Sequence, residues 1–173
     1  LLGAQLQGDG LYIVPGFYGS LPDGRIKTFS RGGSDVTGSI VARASGSSLY
    51  ENWTDVSGFL MADPKVVKDT VGIKLITYKE LRELSYMGAP VLHEEAIFPV
   101  RERGIPIRIK NTNRPDDEGT LIVHDQWEEK NKGTITGIAG RKDFSVISVE
   151  KTLMTSEKGF FRKLISVFET NDI

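Results

Sequence analysis

The 173-residue sequence contains no cysteine. Thiol nucleophiles, disulfides and thiolate-held metals are therefore excluded, although the absence does not by itself fix the compartment. Histidine is nearly as scarce, with only His93 and His124 in the chain. Two distant histidines are a weak metal signal, and neither has an acidic or nucleophilic partner at an informative spacing. No metal ligand set and no catalytic residue is assigned. No apolar run approaches the roughly 18 residues needed to span a bilayer. The formal net charge is −1. Nucleic acids and anionic membrane surfaces usually select a basic face, so neither is an expected partner. GxxxxGK[ST] is missing, and so are the HRD and DFG sets. Leu1–Gly10 has neither a charged start nor a long apolar core, so no secretory signal is expected. The first residue is not Met, and the chain is expected to start inside a longer protein.

What is present is ordinary for a folded chain. Hydrophobic residues make up 39% and charged residues 26%, which argues against disorder. The length suits one domain, or one domain and part of another. Leu11–Val14, stopped by Pro15-Gly16, reads as a buried strand. Pro22-Asp23-Gly24 is a turn, and Arg25–Ser30 a strand broken by Gly32-Gly33. Val36, Ile40, Val41 and Ala44 then share a helical face, with Ser34 or Asp35 as N-cap and Gly46 as terminator. Leu49–Thr54 reads as a strand. Thr77–Met87 reads as a helix, with Thr77 and Glu80 spaced as a capping box. A helix is expected over Leu92–Arg103, followed by strands at Ile105–Ile109 and Leu121–Val123. Strands alternating with helices predict a mainly parallel sheet with packed helices. The character changes at 126–133, where QWEEKNKG is polar, lacks a period and reads as a linker. Beyond it, Thr134–Ala139 and Phe144–Val149 read as strands. Gly159–Glu169 reads as a helix with Phe160, Leu164, Val167 and Phe168 inward. So small a second unit cannot bury a core alone and reads as incomplete.

Three constellations can carry chemistry. In Ser30-Arg31-Gly32-Gly33-Ser34-Asp35 a strand meets a helix. Glycines allow close backbone approach, and helix N–H groups attract an anion. Arg31 can grip a carboxylate with two N–H groups, and Asp35 can accept from an ammonium group. The set suits a zwitterionic amino acid; a tight turn with Asp35 as a helix cap fits the same spacing. Trp53-Thr54-Asp55-Val56-Ser57-Gly58 ends a strand, the place where open α/β sheets hold ligands. Asp63-Pro64-Lys65 follows, with Lys65 suited to a phosphate and Asp63 to a ribose or metal; an ordinary turn is the alternative. Met87–His93 contains a histidine near a helix start, more simply structural than catalytic.

Taken together these segments resemble aspartate kinases. The matching stretches are Val14–Ala44 with its RGGSD turn, Leu49–Val67 with WTDV–G–DP, and Tyr78–Thr112. Ile135–Glu169 resembles the opening of the family's first ACT regulatory module. The resemblance implies an amino-acid-kinase (carbamate-kinase-like) α/β three-layer sandwich with a mainly parallel sheet over 1–125. A linker at 126–133 and a partial ACT (ferredoxin-like α+β) domain at 134–173 would follow. It implies a cytoplasmic enzyme that transfers the γ-phosphate of ATP, with Mg2+, to the β-carboxylate of L-aspartate. That is the first step towards lysine, threonine and methionine. Arg31, Ser34 and Asp35 are then expected to bind aspartate. Thr54, Asp55, Leu60, Asp63, Lys65 and Val91 are expected to bind ATP. Met154, Gly159, Phe160 and Phe161 are expected to meet an amino-acid effector, lysine or threonine, in a homodimer paired through ACT domains.

Departures qualify the match. Lys65 stands where Arg is common, Leu60 where some members carry Tyr, and Pro90 where some carry a nucleotide-reaching Lys. The N-terminal KFGG-type motif, whose Lys neutralises the transferring phosphate, is outside this chain, as is an acidic residue from mid-domain. The chain alone is therefore expected to be inactive. A non-catalytic, effector-binding fragment and a kinase of glutamate or a nucleotide are the competing readings.

Overall fold

The computed structural model describes every residue except 1, 31, 87–91, 93, 125–134, 141, 144, 151, 153–157 and 173. Contacts divide the chain into two units, Leu1–Arg141 and Lys142–Ile173.

In the first unit, four strands build one sheet: β3 (Tyr50–Thr54), β4 (Leu75–Thr77), β5 (Ile107–Asn111) and β6 (Thr120–Val123), in the order β3-β5-β6-β4. β3 runs parallel to β5 and β4 parallel to β6, while β5 and β6 are antiparallel. Two of the three pairings are thus parallel, in line with the expected sheet. Burial alternates along β5: Ile107, Ile109 and Asn111 are buried, whereas Arg108 and Lys110 are half-exposed. The pairings Ile107↔Ile122 and Ile109↔Thr120 put β6 residues on the same buried face. Helices α2 (Gly33–Ser45), α3 (Tyr78–Tyr86) and α4 (Glu94–Arg101) pack there. Ala42, Leu81, Ile97 and Val100 join Ile76, Ile107, Ile109 and Ile122 in one core. Ahead of α2 lie a short helix α1 (Leu2–Gln5) and an exposed antiparallel hairpin of β1 (Tyr18–Ser20) and β2 (Ile26–Thr28).

The helix boundaries follow local chemistry. α2 ends on Gly46 in the left-handed region (φ 65°), with Gly46 N–H donating to Arg43 O and Ser47 N–H to Ala42 O. α4 ends in the same way on Gly104. Both are Schellman-type endings, which glycine alone adopts without strain. At α3 the capping box forms as read: Thr77 N–H donates to Glu80 Oε2 (2.9 Å) and Glu80 N–H to Thr77 Oγ1 (3.2 Å). α2 differs from expectation. Its N-cap is Gly32 (φ 62°), with no side-chain cap, and neither Ser34 nor Asp35 caps it. A left-handed glycine lets the helix start before those residues, which places them inside its first turn.

Other expectations also change. Leu11–Val14 is not a buried strand, since Leu11 is 92% exposed and no described strand pairs with it. β4 was not expected, and α4 is shorter than the helix read there. Residues 135–140 form no strand and are fastened within the first unit. Ile138 N–H donates to Met61 O (2.7 Å) and Thr136 Oγ1 to Glu80 Oε1 (2.6 Å). The two compact units meet after Arg141, and the linker read at 126–133 lies outside the described residues. Residues 145–149 also form no strand among the described residues, because a ladder needs a partner and none pairs with them. In the second unit, α5 (Phe160–Thr170) matches the helix read there, with Phe160, Leu164 and Phe168 half-buried but Val167 exposed.

Two predictions concern the core. Thr120 Oγ1 accepts from Phe59 N–H (2.8 Å) and donates to Ile73 O (2.5 Å), fully buried. Thr120→Val keeps the shape but strands both partners. It should lower unfolding free energy by about 1–3 kcal/mol in urea titrations. The Tyr78 hydroxyl donates to Ile105 O (2.7 Å), and burial pushes its phenol far above the ordinary value of 10.0, with Arg101 offsetting this slightly. Above that ordinary value the unfolded chain binds fewer protons than the folded one, so stability should fall as pH rises. We expect stability to be flat to about pH 9 and then to decline by up to ~1.4 kcal/mol per pH unit for this group. Tyr78→Phe should make the decline shallower in the same titration.

Candidate active site

The carboxyl end of β3 and the first turn of α2 meet in the first unit. Asn52, buried on β3, donates through Nδ2 to Asp35 Oδ1 (2.8 Å) and to the Tyr50 hydroxyl oxygen (3.1 Å). Tyr50 packs against α2 where Gly38 leaves room: a Cβ there would lie 2.9 Å from its ring carbons. Burial raises the Tyr50 phenol above its ordinary value; the Asn52 bond opposes this and the Asp35 charge adds to it. Tyr50 thus stays a neutral hydroxyl, and Asn52 commits one amide to one oxygen of Asp35.

The Asp35 carboxylate is half-buried and is not spent on capping the helix. Among the described residues no hydrogen bond engages its second oxygen, which leaves it open to a cationic group. Gly32 and Gly33 form the approach. A Cβ on Gly33 would stand 2.8 Å from the Phe29 Cβ, so the turn requires glycine there. The N–H groups of the first helical turn and the positive end of the helix dipole lie beside Asp35, favourable to an anion. A cation acceptor next to an anion cradle can hold a zwitterion. Ser34 is exposed in this turn; Arg31 lies outside the described residues.

Thr54 ends β3 on the same face as Asn52, so it stands at the end of the sheet where Asp35 is held. Its Oγ1 donates to Asp55 Oδ1 (3.3 Å), and Asp55 is exposed. Leu60 is paired in a bridge with Gly72 and is exposed. Asp63 and Lys65 form a turn of their own: Asp63 Oδ1 accepts from Lys65 N–H (2.8 Å), and Asp63 O accepts from Val66 and Val67 N–H. That local fastening matches the ordinary-turn alternative, and both side chains are exposed to solvent. Val91, Met154 and His93 lie outside the described residues. In the second unit, Gly159 starts α5 in the left-handed region (φ 78°) without a side-chain cap, and the rings of Phe160 and Phe161 meet edge-on at 5.8 Å.

Asn52 and Tyr50 were not singled out from the sequence. The signal was there: a polar Asn sits between Tyr50 and Thr54 on the inward parity of a strand, and buried amides need partners. Among the described residues, no group of three or more His, Asp or Glu is placed to hold a metal ion. No helix among them is long and apolar enough to cross a membrane.

Residues 2–111 match the amino acid kinase family. The chain is 44% identical over 165 residues to aspartokinase 3 of Bacillus subtilis, covering 95% of this chain and 36% of that protein. The solved aspartate kinase of Clostridium acetobutylicum, described as allosteric, superposes with a TM-score of 0.81 at 66% identity. It covers 90% of this chain and 36% of its own. Escherichia coli aspartokinase III with aspartate and ADP gives a TM-score of 0.57 at 38% identity, over 63% of this chain and 24% of that one. The same enzyme with lysine and aspartate gives 0.59 at 25% identity, over 90% and 34%. The chain therefore spans only about a third of the length of these relatives.

Asn52→Asp tests the geometry. It places a second carboxylate against Asp35, so one of the pair has its pKa raised. A raised folded pKa means stability that is present at low pH and lost as pH rises. Relative to the unmutated chain, Asn52→Asp should lose stability between about pH 4 and 7, read from urea midpoints across pH.

Proposed function

Since this chain belongs to the amino acid kinase family, we propose that it carries the aspartate side and part of the ATP side of an aspartate kinase active site. The observation that carries the reading is the Asp35 carboxylate, oriented by Asn52 at 2.8 Å inside the first turn of α2 and not consumed as a cap. Asp35 receives the α-ammonium group of L-aspartate. Arg31 and the N–H groups around Ser34 receive its carboxylates. ATP lies along Thr54, Asp55, Leu60, Asp63, Lys65 and Val91. The β-carboxylate oxygen attacks the γ-phosphorus in line, the bond from that phosphorus to the β,γ-bridging oxygen breaks, and ADP leaves with 4-phospho-L-aspartate as the product. No general base is needed, because a carboxylate is already ionised at neutral pH. Catalysis is then positioning and charge neutralisation.

The donor set fits Mg2+ only as an ion that arrives on the nucleotide. Asp55 and Asp63 are single carboxylates, and Mg2+ is commonly held by one or two such groups together with substrate phosphates. When bound, Mg2+ supplies charge neutralisation on the phosphates. Residues 134–173 are read as the opening of an ACT regulatory domain, with Met154, Gly159, Phe160 and Phe161 towards an amino-acid effector. The complex of the E. coli relative with lysine favours lysine over threonine. Pairing of such domains would make a homodimer, in a cytoplasmic enzyme.

The test uses the full-length protein that contains this chain. Trapping acyl phosphate with hydroxylamine should show product that depends on both ATP and aspartate. Asp35→Asn and Arg31→Ala should each raise KM for aspartate at least about tenfold with KM for ATP nearly unchanged, the loss of one charge-assisted contact. An unchanged aspartate KM in both variants would count decisively against the assignment.

A further inference from the structure

The end of β3 and the segment after it carry Thr54 and Asp55, yet Asp55 and Val56 are exposed and little holds them from outside. It is held from behind by the connection between β5 and β6. The Thr54 carbonyl accepts twice from Thr112, from its N–H (2.8 Å) and its Oγ1 (2.9 Å). Ser57 Oγ donates to Asp117 Oδ2 (2.5 Å) and accepts from Asn111 Nδ2 (2.9 Å). Asn111 is buried, and its own Oδ1 accepts from Asn113 N–H (2.9 Å). Gly58 (φ 99°) lies against Thr120, where a Cβ would collide with the Thr120 backbone nitrogen at 2.7 Å.

The connection is itself braced. Lys110 Nζ donates to the carbonyls of Pro115 (2.7 Å) and Asp117 (2.6 Å) and stands 5.4 Å from the centre of the Trp53 ring. Arg114 Nε pairs with Asp117 Oδ2 at 3.2 Å. Asp117 thus has its main chain held by Lys110 and its carboxylate shared between Ser57 and Arg114. Both contacts to its carboxylate fall on Oδ2, which commits that oxygen to bracing the connection. Its role is to fix what it touches.

We propose that Ser57, Asn111 and Asp117 are positioning residues for nucleotide binding: they hold the Thr54–Gly58 segment in its ligand-ready shape. The proposal deepens the ATP reading of Thr54 and Asp55 and rests on it. The physical ground is preorganisation. An exposed segment that must order on binding loses affinity to the entropy of ordering, and a segment ordered in advance does not. The hydrogen bonds bridge residues far apart in sequence, so the loop's own local preferences cannot replace them.

The test is steady-state kinetics on the full-length protein with Ser57→Ala, Asp117→Ala, the double variant and Ser57→Thr. Each single alanine variant should raise KM for ATP roughly tenfold while KM for aspartate stays within about twofold. The double variant should cost no more than the worse single one, because either change breaks the same link. Ser57→Thr keeps the hydroxyl and should recover most of the ATP affinity. A general packing role would instead move both KM values together and would overturn the proposal. So would an unchanged KM for ATP in an active enzyme, or additive losses in the double variant. If the unmutated protein forms no acyl phosphate from ATP and aspartate, the kinase reading fails first and this inference falls with it.

Discussion

β5 has to satisfy two neighbours at once, and the rest of the first unit is arranged around that requirement. A central strand must pair its main-chain groups on both edges, since an unpaired buried amide is costly. β5 does so with a parallel partner, β3, on one side and an antiparallel one, β6, on the other. Its inward side chains, Ile107 and Ile109, are fully buried under the helices. A slip of one residue would turn Arg108 and Lys110 into that core. The same parity that buries two isoleucines delivers Asn111 to the carboxyl end of the sheet, where it meets Ser57. Core and site are therefore one register.

The candidate site departs from the local rules at one point, and the departure is useful. An acidic residue in the first turn of a helix ordinarily completes the helix by capping it. Here a left-handed Gly32 starts α2 without a side-chain cap, and Asp35 turns to Asn52 on the neighbouring strand. The Asp35 carboxylate is left oriented, partly desolvated and, among the described residues, with an oxygen to spare. Tyr50 supports the arrangement from below, through the space that Gly38 leaves beside it. Three glycines in seven residues of sequence, Gly32, Gly33 and Gly38, thus serve the start of the helix, the closeness of the turn and the packing of a tyrosine.

Much of the frame was legible in advance because its causes are local. The capping box of Thr77 and Glu80, the glycine endings of α2 and α4, and the turn at Pro22–Gly24 each depend on residues within a few positions of one another. The strand of Leu11–Val14 and the strands sought at 134–139 and 144–149 were misread for the opposite reason. An apolar run becomes a strand only if an edge is offered to it, and no described strand offers one. Residues 135–140 instead fasten to Met61 and Glu80, more than fifty positions away.

The sequence by itself determined the glycine endings of α2 and α4, the capping box of α3, the alternation that makes an α/β sheet, and the turn of glycines flanked by Arg31 and Asp35. These are short-range consequences of steric freedom, capping and parity. Only the tertiary structure decided what Asp35 does, and what braces the loop after β3. Asn52 reaches Asp35 across 17 positions, Asn111 reaches Ser57 across 54, and Ser57 reaches Asp117 across 60. No local preference encodes such pairings. They arise because β3 and β5 lie side by side in one register, so the buried amides of Asn52 and Asn111 find partners on elements far away in sequence.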